Sequence, residues 1–202
     1  MLEIPRTIRD VTEEDVGNNI SVLESVRAKQ SAKIVEGYKL LPKTDASEME
    51  FDFYAEINVN NSRLFDLFVS LCNELPDTVA LLFGLYDEDV NYGIYTSKDD
   101  ILNELKKYKK EIKEDCSLEL GLIYHTESDF IEVFIPEAKY IKFWGIEENS
   151  FRNIMDAFDL KEINNIEFID EYPKAVRPLK MIDEGVTDTD AIIAALQAKF
   201  IQ

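Results

Sequence analysis

Between Glu48 and Leu75 the spacing of apolar residues changes from every second position to every third or fourth, which restricts the chain to folds that join a sheet to helices. Met49, Phe51, Phe53, Ala55 and Ile57 alternate with Glu50, Asp52, Tyr54 and Glu56, the period of a strand with one face on a core and the other toward water. After Asn60 to Ser62, the residues Leu64, Phe65, Phe68, Leu71, Cys72 and Leu75 recur at helical steps, and Pro76 ends them. Val79 to Tyr86 is apolar enough to be a central strand, and the polar turn Asp87, Glu88, Asp89 leads into a second strand, Val90 to Thr96.

The flanking regions carry the same two signals. Thr12 with Asp15 has the spacing of a helix cap ahead of Val16, Ile20, Leu23 and Arg27, predicting a helix over 13–31 with Gly17 as its weak point. A short strand is expected within 33–41. Ser97 with Asp100 opens a helix bearing Ile101, Leu105, Tyr108 and Ile112 on one face, with Lys106, Lys107, Lys109, Lys110 and Lys113 around the rest. Three strands over 117–125, 129–135 and 139–144, with turns at 126–128 and 136–138, predict an antiparallel meander. A helix over 147–158, a short strand over 166–169, a connector marked by Pro173 and Pro178, and a last helix capped by Asp188 or Asp190 complete the chain.

This order predicts an α+β fold with a mostly antiparallel or mixed sheet and helices packed mainly on one face. The expected organisation is an N-terminal helical arm over 1–47, a main α+β domain over 48–180 and a C-terminal helix over 181–202.

Charge narrows the partners. The 202 residues include 41 acidic and 22 basic side chains, a formal charge of −19, while an apolar fraction of 46% with 12 Phe and 9 Tyr supplies a full core. A field this negative repels nucleic acid and anionic membrane surfaces and speeds encounter with a basic protein. The simpler role of such charge is to keep a protein dispersed in water. The longest apolar run, Thr78 to Tyr86, is about half of a membrane-spanning helix. Residues 1–9 mix Glu3, Pro5, Arg6 and Arg9 among apolar positions, so no signal peptide is expected, and Cys72 and Cys116 are expected reduced in a cytoplasmic protein.

Motifs for chemistry are few. Gly84, Gly93, Gly121 and Gly145 stand alone, and no phosphate-cradling or nucleophile-elbow pattern occurs. Asp87, Asp89 and Asn91 imitate the start of a calcium loop, but Tyr92 stands where Gly is needed and Lys98 where the closing Glu belongs. His125 has no paired Cys or Ser motif, and Asp183, Glu184, Asp188 and Asp190 read as charge at a helix start. No catalytic residue, cofactor or metal site is therefore expected.

The residues expected to meet a partner are the turn Asp87, Glu88 and Asp89, the turn at Glu127 and Asp129, and Glu147 with Glu148 beside Trp144. Alternation sets Tyr140, Lys142 and Trp144 opposite Ile141 and Phe143, on a face expected to be covered by helix. In composition alone, with no motif behind it, the chain resembles the immunity proteins that neutralise basic bacterial toxins. The expected function is a non-enzymatic acidic protein that docks on a basic partner, such as a nuclease-like toxin, and inhibits it. The alternatives are an enzyme whose carboxylate site leaves no motif and a scaffold that forms a homo-oligomer through its C-terminal helix.

Overall fold

The structure is a computed structural model that describes residues 2–43 and 50–201. Glu48 and Met49, at the start of the expected first strand, lie outside the described residues. The rest of that alternation forms β3 (Phe53–Asn58), one member of an eight-stranded antiparallel sheet. β1 (Ile8–Asp10) stands apart from that sheet, paired with β10 (Lys174–Val176). The large sheet has the order β2 (Gly37–Pro42), β3, β9 (Ile141–Gly145), β8 (Phe130–Ile135), β7 (Leu118–His125), β4 (Thr78–Leu85), β5 (Asn91–Tyr92), with β6 (Thr96–Ser97) also beside β4. The expected α+β class and the meander of three consecutive strands are both present.

One face of this sheet carries most of the helices among the described residues. Phe53, Ala55 and Ile57 of β3, Val79, Leu81 and Phe83 of β4, and Phe143 of β9 point into a core completed by α3 (Leu64–Leu71), α4 (Lys98–Leu105), α5 (Lys109–Glu114), α6 (Glu148–Ala157) and α8 (Thr189–Phe200). At its centre Phe143 and Phe151 stack with centroids 5.4 Å apart, and Phe53 meets both at 5.7 and 5.2 Å. α8 starts at Asp188, whose side chain accepts from the Asp190 N–H, and buries Ile192, Leu196 and Phe200 in the same core. Removing this helix would open the core, so that deletion would report on stability as well as on assembly.

Four local readings change. The helix expected over 13–31 is two, α1 (Glu13–Val16) and α2 (Ile20–Lys29), because Gly17 between them has φ 58°. The helix expected after Ser97 is interrupted by a tight turn over Lys106–Tyr108 between α4 and α5. The strand expected over 166–169 is absent: Ile166, Phe168 and Ile169 are buried in a loop that ends in a single 3₁₀ turn, and the strand comes later, as β10. The strand expected to run to Thr96 breaks at Gly93, whose N–H bonds Leu81 O before the Ile94 N–H turns to Phe200 O at the end of α8.

Gly121 of β7 is an isolated glycine with a structural task. It pairs with Phe134 of β8, and a Cβ there would stand 2.5 Å from Val133 O and 2.8 Å from the Phe134 ring. The aromatic ring fills the space a side chain would take. Gly121→Ala should lower stability by about 1–3 kcal/mol in urea unfolding; an unchanged midpoint would show that the β7–β8 seam yields freely.

Candidate functional site

The sheet face turned away from the helices holds the most unusual group of side chains. The pairing of β3 with β9 sets Tyr54 opposite Trp144 and Glu56 opposite Lys142, and β8 adds Glu132 opposite Trp144 and Phe134 opposite Lys142. Tyr54 and Trp144 lie with centroids 4.6 Å apart, and Phe130 meets Trp144 edge-on at 6.3 Å. Phe51, Ala80, Leu82 and Ile123 belong to the same apolar cluster, and among the described residues none of its members comes from a helix. Among the described residues, strand and loop residues rather than the expected helix surround Trp144, which stays half-buried. The helices go to the other face because Phe53, Ala55, Phe143 and their neighbours make it the more apolar one.

Polar groups interleave with these rings. Tyr54 Oη donates to Glu56 at 2.9 Å, Lys39 Nζ pairs with Glu56 at 2.6 Å, Tyr140 Oη donates to Asp170 at 3.0 Å, and Lys142 Nζ lies 5.6 Å from the Tyr140 ring centre. Burial pushes the Tyr54 and Tyr140 phenols up. Burial also pushes the Glu132 carboxyl up to about 7, against the opposing pull of Lys142.

The residues expected to meet a partner divide between the two ends of the sheet. Trp144, the turn holding Glu127 and Asp129, and Glu147 with Glu148 gather where β7 and β9 end and β8 begins. Glu127 and Glu147 are exposed and hold no ion pair among the described residues. Asp129 accepts from Ser128 Oγ at 2.6 Å, and Glu148 pairs with Arg152 at 2.7 Å. Asp87, Glu88 and Asp89 lie at the opposite end, beyond the Leu85–Leu118 pair, so the length of β7 separates the two groups by about 23 Å. There Glu88 shares the lining of a cleft of about 470 Å³ with Asp188 and Asp190. Asp87 has φ 69°, and Asn91, the third member of the calcium-like pattern, instead donates to Phe83 O and accepts from Gln197. No group of three His, Cys, Asp or Glu among the described residues could hold a metal ion.

Cys116 lines the same 470 Å³ cleft, with Thr7 Oγ1 2.8 Å from its sulfur. Burial raises its thiol pKa, and burial lowers that of Lys139, which gives its ammonium hydrogen bond to Leu118 O. A thiol kept protonated is a weak nucleophile, so this pair reads as packing. His125 is exposed at the end of β7, with its ring edge-on to Phe130 at 5.6 Å.

The lysine cluster of α4 and α5 is largely neutralised within the molecule. Lys107 pairs with Glu104 at 2.8 Å, Lys109 with Asp66 at 2.5 Å and Lys110 with Asp183 at 2.5 Å. Tyr54, Phe130 and Glu132 escape a linear reading because strand pairing, rather than spacing, brings them to Trp144. Among the described residues no helix is long and apolar enough to cross a membrane. Comparison with protein-family models, curated proteins and solved structures finds no match.

Glu132 makes stability depend on pH. In the unfolded chain it titrates near 4.5 and in the folded protein near 7. Between those values the folded state therefore binds more protons than the unfolded one, and stability falls as pH rises through the window. Glu132→Gln should gain about 1–2 kcal/mol over the parent at pH 8, with the gain vanishing below pH 4.5. Equal denaturant midpoints for both proteins at pH 8 would refute the raised pKa.

Proposed function

We propose that the protein is a non-enzymatic acidic binding protein that docks on a basic protein through the end of the sheet around Trp144, in the manner of an immunity protein that inhibits a nuclease-like toxin. The observation that carries this reading is the half-buried Tyr54 and Trp144 set against buried Phe130, with the exposed carboxylates Glu127 and Glu147 beyond their strand ends. Aromatic anchors bounded by charges that steer a partner are what a binding hot spot needs. The ion pairs of Lys107, Lys109 and Lys110 support it further, since these cations are already matched within the molecule and the formal charge of −19 is left to attract a basic partner. The test is to isolate the basic protein retained from host lysate at low salt and measure its association. Glu127→Lys and Glu147→Lys should each slow association about three- to tenfold at low salt. Reversal of Asp87, Glu88 and Asp89 should have little effect. Trp144→Ala should instead speed dissociation more than tenfold, a loss of about 2 kcal/mol. Unchanged rates for all these variants would remove the basis of the proposal.

A second reading, an enzyme using Glu132, is favoured by one observation: a carboxyl held near 7 is poised for proton transfer at neutral pH. Glu132 sits level with Trp144 and Ile123 on the sheet, however, and the clefts around Tyr86, Arg177 and His125 are lined by other residues. A hydrolytic activity at pH 7 that disappears in Glu132→Gln would favour this reading over docking.

A further inference from the structure

Beside Trp144, and sharing Phe130 with its cluster, the same face of the sheet opens into a groove of about 600 Å³. Buried Ala80, Ile123 and Phe130 form its floor, while Tyr92, Tyr95 and His125 stand exposed at its rim. The groove exists because the edge of the sheet stops early. β5 is only two residues long, and after Gly93 the chain leaves for Phe200. Tyr95 then returns to β7, its hydroxyl accepting from the His125 N–H at 2.9 Å and donating to His125 O at 3.3 Å. Tyr92 and Tyr95 are left 66% and 48% exposed, which for large aromatic rings over an apolar floor is a surface uncovered among the described residues.

Carboxylates adjoin the groove's lining in the chain, and Lys43, over the Phe51 ring beside Phe130, is paired with Glu50 at 3.3 Å. Glu127 lies in the turn that follows His125, Asp129 precedes Phe130, and exposed Asp77 precedes β4. Lys98, the cation next in sequence to β6, is turned away, its ammonium donating to Leu75 O at 2.6 Å. Tyrosine rings beside carboxylates complement a planar cation, because a guanidinium stacks on a ring face and still presents its edge to an acid.

We propose that this groove receives an arginine side chain of the basic partner, its guanidinium laid against Tyr92 and Tyr95 and its charge facing Glu127. The assignment rests on the binding function proposed above and adds to it the chemistry of one contact. A lysine would meet the same field but would lose the planar stacking.

The wild-type protein carries its own reporters, since His125 is its one histidine and Trp144 its one tryptophan. Titration with an oligoarginine peptide, followed by NMR of the His125 ring and by Trp144 fluorescence, should give a saturable shift of His125. Oligolysine should bind about three- to tenfold more weakly. Tyr92→Ala and Tyr95→Phe keep the fold separable from the site, the first by removing an exposed ring and the second by removing only the hydroxyl. Tyr92→Ala should abolish the preference for arginine, and Tyr95→Phe should retain it. Oligoarginine binding with His125 unmoved, or a preference that survives Tyr92→Ala, would overturn the groove and leave the acidic docking surface standing. An absence of binding by either peptide at low salt would overturn both.

Discussion

The pairing of β3 with β9 is the contact on which the rest of the structure depends. It joins two segments far apart in sequence, and its two faces build two different things. Inward, Phe53 and Phe143 meet Phe151 of α6 and lock a helix onto the sheet. Outward, the same seam sets Tyr54 against Trp144 and Glu56 against Lys142. The core and the candidate docking face are two sides of one ladder, so a slip of one residue in its register would exchange them.

The fold was legible where structure is local. Alternation in 51–57, the apolar run of β4 and the short turns between β7, β8 and β9 each carry their own signal, and together they led to the α+β class and the meander. Less legible were places where a single backbone position overrides a pattern. Gly17 divides one predicted helix in two, and Gly93 takes the chain off a strand whose apolar content argued for three more residues. The loop over 166–169 has the burial of a strand without a neighbouring strand to pair with, and burial alone is what its apolar pattern encoded.

The candidate site shows the same division. Trp144 and the carboxylates of nearby turns could be picked out as residue types, and alternation placed Trp144 opposite Phe143. That Glu127 and Glu147 share an end of the sheet while Asp87 to Asp89 occupy the other depends on strand order, which no spacing contains. Glu132 and Lys142 acquire their character only from burial among rings, and Tyr92 and Tyr95 from the break at Gly93. Those lysines whose distant carboxylate partners the structure supplies looked, in the linear chain, like a free basic cluster.

The small ladder between β1 and β10 has a consequence for how the chain is made. Ile8 to Asp10 pair with Lys174 to Val176, and Thr7 O accepts from the Arg177 N–H just beyond. On a ribosome Ile8 to Asp10 must wait for Lys174 to Val176 to emerge, roughly ten to thirty seconds at ordinary synthesis rates. During that interval their backbone groups and the apolar side chain of Ile8 are available to other chains. Closure of this ladder therefore follows the synthesis of everything between its two strands, and until Lys174 to Val176 emerge the first of them stays open to chaperone capture or misassociation.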